Sequence, residues 1–477
     1  MQISTISVYH QYLNVLKILG IFPYKLSYGS SDNPDNRETR TTNNNTDKLT
    51  LDFGEFDKSL TSVGFHKRGF FAAWNYVVFG FFYCYFVFQI GRFTERFMAG
   101  SGAIEMFGMS CWIWKPIFVG SFALHFHQNK NALADFYTTW HRVELVIHQE
   151  WSRTLPFKVS AVCKQIIRKK RFAYVYVPLW TVLIMTWMTL NHLDSPGFPS
   201  YISSFIGNPL DPVKFSWLLP ISVLVQILAL IPILVTFDHF YIVCLTFSNS
   251  ISRIVILLTD PFQSSEEELD QLLRDCKSDD GVMSQSQLSD SETDPYDKKI
   301  FEVSKFLHSI PLDGNLQIIA KLQLAMQHYG MLEKLTKEFN RLHRWMLFLY
   351  QAVILVNFCI LIFVPLRFSK IFPWTSLVVF FVSFLFFAFH LCTLLPSMGN
   401  VFGKSSDFRT VWERRLARVC HTIPFAQFLQ LKSELDSCLP FGFQTGTFYT
   451  LHPGSMLLFY SYATSYLIVL LQLDIRY

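Results

Sequence analysis

Charge is scarce in this 477-residue sequence: Asp, Glu, Lys and Arg together make up 16%, against about 25% in an ordinary soluble domain. With 51% hydrophobic residues and 49 phenylalanines beside that scarcity, a water-exposed globular domain is excluded and a membrane protein is expected. Cysteine is missing where an extracellular disulfide framework would need it. Positions 84, 111, 163, 244, 276, 359, 392, 420 and 438 fall in apolar runs or in segments assigned below to the cytoplasm, so the thiols are expected to stay reduced or buried. Catalytic patterns are missing too. His125 and His127 stand two apart, no Cys/His spacing suits a metal, and neither a glycine-rich phosphate loop nor a serine elbow occurs. No enzyme, cofactor, metal site or nucleic-acid partner is expected. There is no internal repeat of the kind that marks inverted-repeat transporters. Residues 12–24 are interrupted by Lys17 and lack a small-residue cleavage site, so they read as an amphipathic helix that stays attached rather than a signal peptide.

Apolar runs are plentiful instead. A helix crosses the hydrocarbon core with about 20 residues, because only then are its backbone groups satisfied internally. Seven runs qualify, over about 71–91, 103–126, 172–190, 216–237, 345–366, 376–395 and 452–473, and the fourth extends as a helix to about 248. With the N-terminus placed inside, 34 of the 41 Lys and Arg fall on the cytoplasmic side. The asymmetry of positive charge therefore selects a cytoplasmic N-terminus and an extracellular C-terminus. The expected fold class is an all-α membrane protein with seven transmembrane helices and a cytoplasmic helical anchor region. This orientation is opposite to that of a G-protein-coupled receptor, and the Asp-Arg-Tyr triplet usual in that class is absent.

Along the chain, residues 1–70 form a cytoplasmic arm whose Asn/Thr/Ser-rich stretch 29–50 is expected to be disordered; its Asn44-Asn45-Thr46 sequon lies inside and is expected to stay unglycosylated. Transmembrane helices one to four occupy 71–248, and a cytoplasmic loop follows over 249–344. That loop carries an acidic insert at 260–297, read either as a regulatory, phosphorylatable segment or as a tolerated loop insertion. A helical extension at 317–344 presents an apolar stripe of Ile319, Leu322, Met326, Met331, Leu332, Leu335, Phe339 and Leu342. Helices five and six span 345–395. The anchor segment 396–451 contains a second amphipathic stretch, Trp412, Leu416, Val419, Ile423, Phe425, Phe428 and Leu431, expected to pack on the first. Residues 452–477 hold the seventh helix and a short extracellular tail.

On that last helix Ser461, Ser465, Ile468 or Val469, and Gln472 share nearly one face. Several copies around one axis would place water beside Ser and Gln and a dewetting constriction at Ile468 or Val469. The same residue types also suit hydrogen bonds to a neighbouring helix. The outer halves of the other spans offer a candidate ligand pocket: Met109, Trp112 and Lys115 on span two, Met185 and Trp187 on span three, Gln226 on span four and Phe381 on span six. Lys115, in mid-span, needs a partner or a wet cavity; Asp238 at the inner end of span four is a candidate partner, and snorkelling towards the cytoplasm is the equal alternative. Asn357 and His390 are expected to bond between helices.

Ser465-Tyr466, five apolar residues and Gln472-Leu473 resemble the seventh-helix signature of the insect gustatory receptors, Thr-Tyr, five hydrophobic residues, Gln-Phe. Tyr466 and Gln472 match; Ser465 and Leu473 are departures. Gly446-Thr447-Phe448 before the helix, and Leu19-Gly20-Ile21-Phe22-Pro23-Tyr24 near the start, resemble the family as well. The resemblance implies a tetrameric, ligand-gated, non-selective cation channel in the plasma membrane. Its partners would be a small-molecule tastant, the lipid bilayer, and further copies of itself or related subunits. It also implies that Gln472 and Leu473 lie at the extracellular gate of a pore lined by the seventh helices. A metabotropic heptahelical receptor and a non-conducting accessory membrane protein remain the alternatives from other classes.

Overall fold

The computed structural model describes residues 17, 24–28, 60–65, 69–100, 103–152, 179, 182, 186, 218–259, 314–368, 370 and 374–472. The expected disordered stretch 29–50, the acidic insert 260–297 and most of the third span lie outside this set. Of that span, Leu179, Val182 and Thr186 are described as helical and exposed.

The chain order is β1 (Tyr24–Tyr28), β2 (Leu60–Phe65), α1 (Phe70–Met98), α2 (Ala103–Ser152), α3 (Leu218–Thr259), α4 (Gly314–Phe368), α5 (Trp374–Val419), a short 3-10 turn (Cys420–Thr422), α6 (Phe425–Ser437), β3 (Gln444–Thr445), β4 (Tyr449–Thr450) and α7 (Ser455–Gln472). β1 and β2 pair antiparallel, Tyr24 opposite Phe65, a two-stranded sheet with no counterpart in the sequence reading.

Helix α1 is polar inside and apolar outside. It buries Asn75, Gln89 and Arg92 with Val78, Phe82 and Tyr85, while Tyr76, Val77, Tyr83, Val87 and Phe97 are each more than half exposed. Such an arrangement is stable in hydrocarbon and unstable in water. By length and composition, five described helical segments can cross a membrane: Phe70–Met98, Val235–Thr259, Ile318–Phe368, Phe380–Thr422 and Ser455–Gln472. The protein is a multi-pass membrane protein.

The long helices outrun the bilayer. α4 has 55 residues, about 80 Å at 1.5 Å per residue, against a hydrocarbon core of about 30 Å. Its surface marks where the bilayer begins. The exposed positions Lys334, Lys337, Glu338 and Arg341 give way to Trp345 and Phe348, and aromatic rings favour the interface. The polar part of α4 buries Ile319, Leu322, Met326, Leu332, Leu335, Phe339 and Leu342, with Met331 half-buried.

The helix of the sixth span continues past the expected membrane stretch: α5 runs on unbroken to Val419 through Pro396. The continuation is held by packing, with Ser248 and Ser397 hydroxyls 2.9 Å apart and Trp412 fully buried. Trp412 Nε1 and Arg415 Nη1 donate to the carbonyls of Leu258 and Thr259 (3.0 and 2.9 Å), satisfying orphan acceptors at the end of α3 and placing a cation at its negative pole. The expected single amphipathic stripe fails at Phe425, which is 73% exposed. Helix α5 stops, Pro424 intervenes and α6 restarts, so the helical phase is reset and Leu431 and Leu435 carry the buried face instead.

Candidate functional site

The approach to α7 is built from polar side chains of α4 and α5. Asn340 is buried, donates Nδ2–H to the carbonyl of Gly442 (2.9 Å) and accepts from the amide of Gln444 at Oδ1 (3.0 Å). One side chain thus supplies the donor and acceptor that a neighbouring strand would present. Ser405 does the same for Phe441, donating to its carbonyl at 2.8 Å and accepting from its amide at 3.1 Å. Tyr329 donates its hydroxyl to the carbonyl of Leu439 (2.9 Å), and the amide of Gly446 donates to the carbonyl of Arg344 (2.8 Å). Gly446 has φ +59°, and a Cβ there would meet the Phe448 ring, so the tight β3–β4 turn requires glycine. The chain then passes Gly399 of α5, where a Cβ would collide with the carbonyl of His452. This backbone contact fixes where α7 starts.

Helix α7 buries one side only. Ser455, Phe459 and Ala463 are buried, with Leu467 and Leu470 packed on Ile360, Phe363, Val364 and Phe368. Cys359 Sγ lies 3.6 Å from the carbonyl of Ala463, and Cys392 Sγ lies 3.0 Å from the Tyr460 hydroxyl. At 100° per residue, Ser461, Ser465, Ile468 and Gln472 fall on the opposite side from Ala463 and Leu470. All four are exposed, as are Tyr466 and Val469, at 58% and 56%. Ser465 Oγ donates to the Ser461 carbonyl (2.9 Å). The stripe therefore lies on the side of α7 away from its buried residues. Leu473 lies outside the described residues.

The expected pocket residues divide. Met109 is fully buried on α2. The side chains of Trp112, Lys115 and Gln226, and residues Met185 and Trp187, lie outside the described set. Phe381 is 60% exposed. Its position belongs to an outward row with Trp374, Val378 and Leu385 at helical spacing. Asn357 also departs from expectation: its Nδ2 donates to the carbonyl of Val353, 2.7 Å away within α4, rather than to another helix.

Deeper in the bundle, His390 of α5 lies 2.7 Å from the Tyr350 hydroxyl of α4 through Nδ1, the expected bond between helices. It stacks on Tyr241 of α3 at 4.0 Å and 9°. Thr393 spends its hydroxyl proton on the Phe389 carbonyl (2.8 Å), so the Tyr241 hydroxyl donates to Thr393 Oγ1 at 2.7 Å. Asp238 of α3 sits 3.7 Å from His390 Nε2, and Phe118, Phe237, Phe240 and Tyr350 form a ring cluster beside it. A second buried link joins α2 to the polar part of α4. Trp151 Nε1 donates to His328 Nδ1 at 2.8 Å, and Glu150 approaches His328 Nε2 at 2.8 Å. Among the described residues no group of three His, Cys, Asp or Glu could hold a metal ion.

The strand-like role of Asn340 and Ser405 escaped the sequence reading. The only local hint was a small polar residue inside an otherwise apolar helical stripe.

No protein-family model matches the sequence, and no curated protein matches it. Solved structures do. The chain is similar to the insect olfactory receptor OR5 from Machilis hrabei, with a TM-score of 0.61 at 10% identity, covering 98% of this chain and 99% of that one. The same receptor in complex with eugenol gives 0.59 at 9% identity, with the same coverage. At these identities the likeness is one of fold, and it extends over the whole chain.

Proposed function

We propose that the protein is a chemosensory receptor of the gustatory type, a subunit of a ligand-gated, non-selective cation channel in the plasma membrane that assembles as a tetramer. The N-terminus lies in the cytoplasm, seven helices cross the bilayer, and the seventh lines the pore. The observation that carries this reading is the outward stripe of Ser461, Ser465, Ile468 and Gln472, on the side of α7 opposite its packed face. Polar side chains turned out of a membrane helix are costly in lipid and useful around water. Four copies about an axis give each stripe an aqueous surrounding. Further support comes from the Tyr466 and Gln472 spacing and from the full-length likeness in fold to an insect olfactory receptor, one solved structure of which holds eugenol.

In this reading Ile468 and Val469 form the apolar constriction, Gln472 and Leu473 form the outer gate, and Tyr466 packs between subunits. Met109, with Trp112, Lys115, Met185, Trp187 and Gln226, lines a pocket open to the outside. The test is patch recording from cells expressing the chain, alone and with related subunits, against a panel of sugars and bitter compounds. Ligand-evoked cation current independent of G proteins is expected. Silence despite surface expression in every combination contradicts the proposal.

A further inference from the structure

Asp238 is 1% exposed, and neither carboxylate oxygen has a hydrogen-bond partner among the described residues. An ionised carboxylate in that position bears the cost of desolvation with no donor among the described residues to offset it. His390 Nε2 lies 3.7 Å from Asp238 Oδ1, beyond hydrogen-bond length, and the imidazole is completely buried. Titratable side chains described near the pair are His239 and Tyr241 on α3 and Tyr350 on α4, with His343 on α4 and His125 on α2 beyond them. His343 lies 6.0 Å from both His125 and Phe240, ring to ring. Among the described residues no Lys or Arg forms an ion pair with Asp238.

We propose that Asp238, His390 and Tyr350 form a proton-binding site that joins α3, α5 and α4, with a proton from water as its ligand. In the proton-free form the Tyr350 hydroxyl donates to His390 Nδ1, and His390 Nε2–H points at the Asp238 carboxylate. When one proton binds, the Nε2 proton passes to a carboxylate oxygen of Asp238, the Tyr350 hydroxyl proton passes to Nδ1, and the incoming proton replaces it on the Tyr350 oxygen. The Asp238 O–H then points at Nε2 and Nδ1–H points at the Tyr350 oxygen, so the Tyr350–His390 hydrogen bond reverses direction. The imidazole is neutral in both forms, and the net change is one proton taken up by Asp238. Because the three groups come from three helices, the proton changes how those helices are bonded to one another.

Infrared difference spectroscopy of the full chain in lipid vesicles tests the site without reference to conduction. Comparison of the native protein with Asp238→Asn at neutral pH is expected to reveal a protonated-carboxyl C=O band that shifts in D2O, is lost in the variant and is displaced by His390→Gln. A carboxylate band alone at neutral pH, or a C=O band indifferent to His390→Gln, overturns the proposal. Asn matches the shape of the protonated carboxyl, so the variant is expected to fold. A second arm rests on the channel reading. Ligand-evoked current in the native protein is expected to change with pH and to lose that change in Asp238→Asn. Unaltered pH dependence in the variant contradicts the coupling, and absence of current from every variant counts against the channel reading while the infrared result still decides the site.

Discussion

At the scale of single residues, the polar groups that matter most are those standing in for backbone. Replacing Asn340 by Ala leaves the Gly442 carbonyl and the Gln444 amide without their partners. A loss of about 1–3 kcal/mol for each unsatisfied group is expected, visible as an earlier thermal unfolding of the purified protein in detergent; an unchanged transition contradicts the strand-like role. Gly399→Ala drives a methyl into the His452 carbonyl and within 2.9 Å of the Pro453 nitrogen, whereas Gly403→Ala meets only Pro453 Cγ at 3.4 Å. The first is expected to reduce folded surface protein sharply and the second to leave it near native, as read by fluorescence-detected gel filtration. Cys438 provides a chemical probe. Burial, reinforced by Glu333 and Glu434, pushes its thiol up to about 11, so the reactive thiolate is scarce at neutral pH. Maleimide at pH 7.5 is expected to leave Cys438 unlabelled in the folded protein and to label it after denaturation, as mass spectrometry of the peptide will reveal.

Elements were legible in proportion to how local their causes are. Hydrophobic runs announced α1, α2 and α3 and the membrane parts of α4, α5 and α7, and the apolar period announced the polar extension of α4, because each signal lies within a few turns. The continuation of α5 past Pro396 was illegible, since it depends on α3 partners about 150 positions away, such as Ser248. So was the Asn340 bond to Gly442, 102 residues distant. The candidate site was half legible: the stripe on α7 could be drawn on a helical wheel, but which of its sides packs could not. Ala463 now supplies that answer, because its small side chain lets Cys359 reach its carbonyl. Ala463→Leu adds volume to that contact and is expected to cost about 1–3 kcal/mol and lower the yield of folded protein. Thr464→Leu, on an exposed position, is expected to do so far less. Equal effects in the same gel-filtration assay contradict the assigned packing face.

For the whole molecule, the proportions suit a bundle anchored on one side of the bilayer. Helices α3, α4 and α5 pack over lengths beyond the membrane thickness, and Tyr329 stacks on Phe408 at 4.3 Å far from the Trp345 boundary. Helix α7, with 18 residues, is about 27 Å long and barely spans the hydrocarbon. Short, lightly packed and tied to the rest through Asn340, Ser405 and Gly399, it is the element best placed to move while the anchor holds. The central claim is that its free stripe borders water. Cysteine placed one position at a time at Ser461, Ser465 and Gln472, probed with a charged, membrane-impermeant thiosulfonate during ligand-evoked current, tests this most directly, with the native protein as the control for its own thiols. Modification that blocks current at these positions, and not at Ala463, is the expected result. Current that persists unmodified at all three would contradict it.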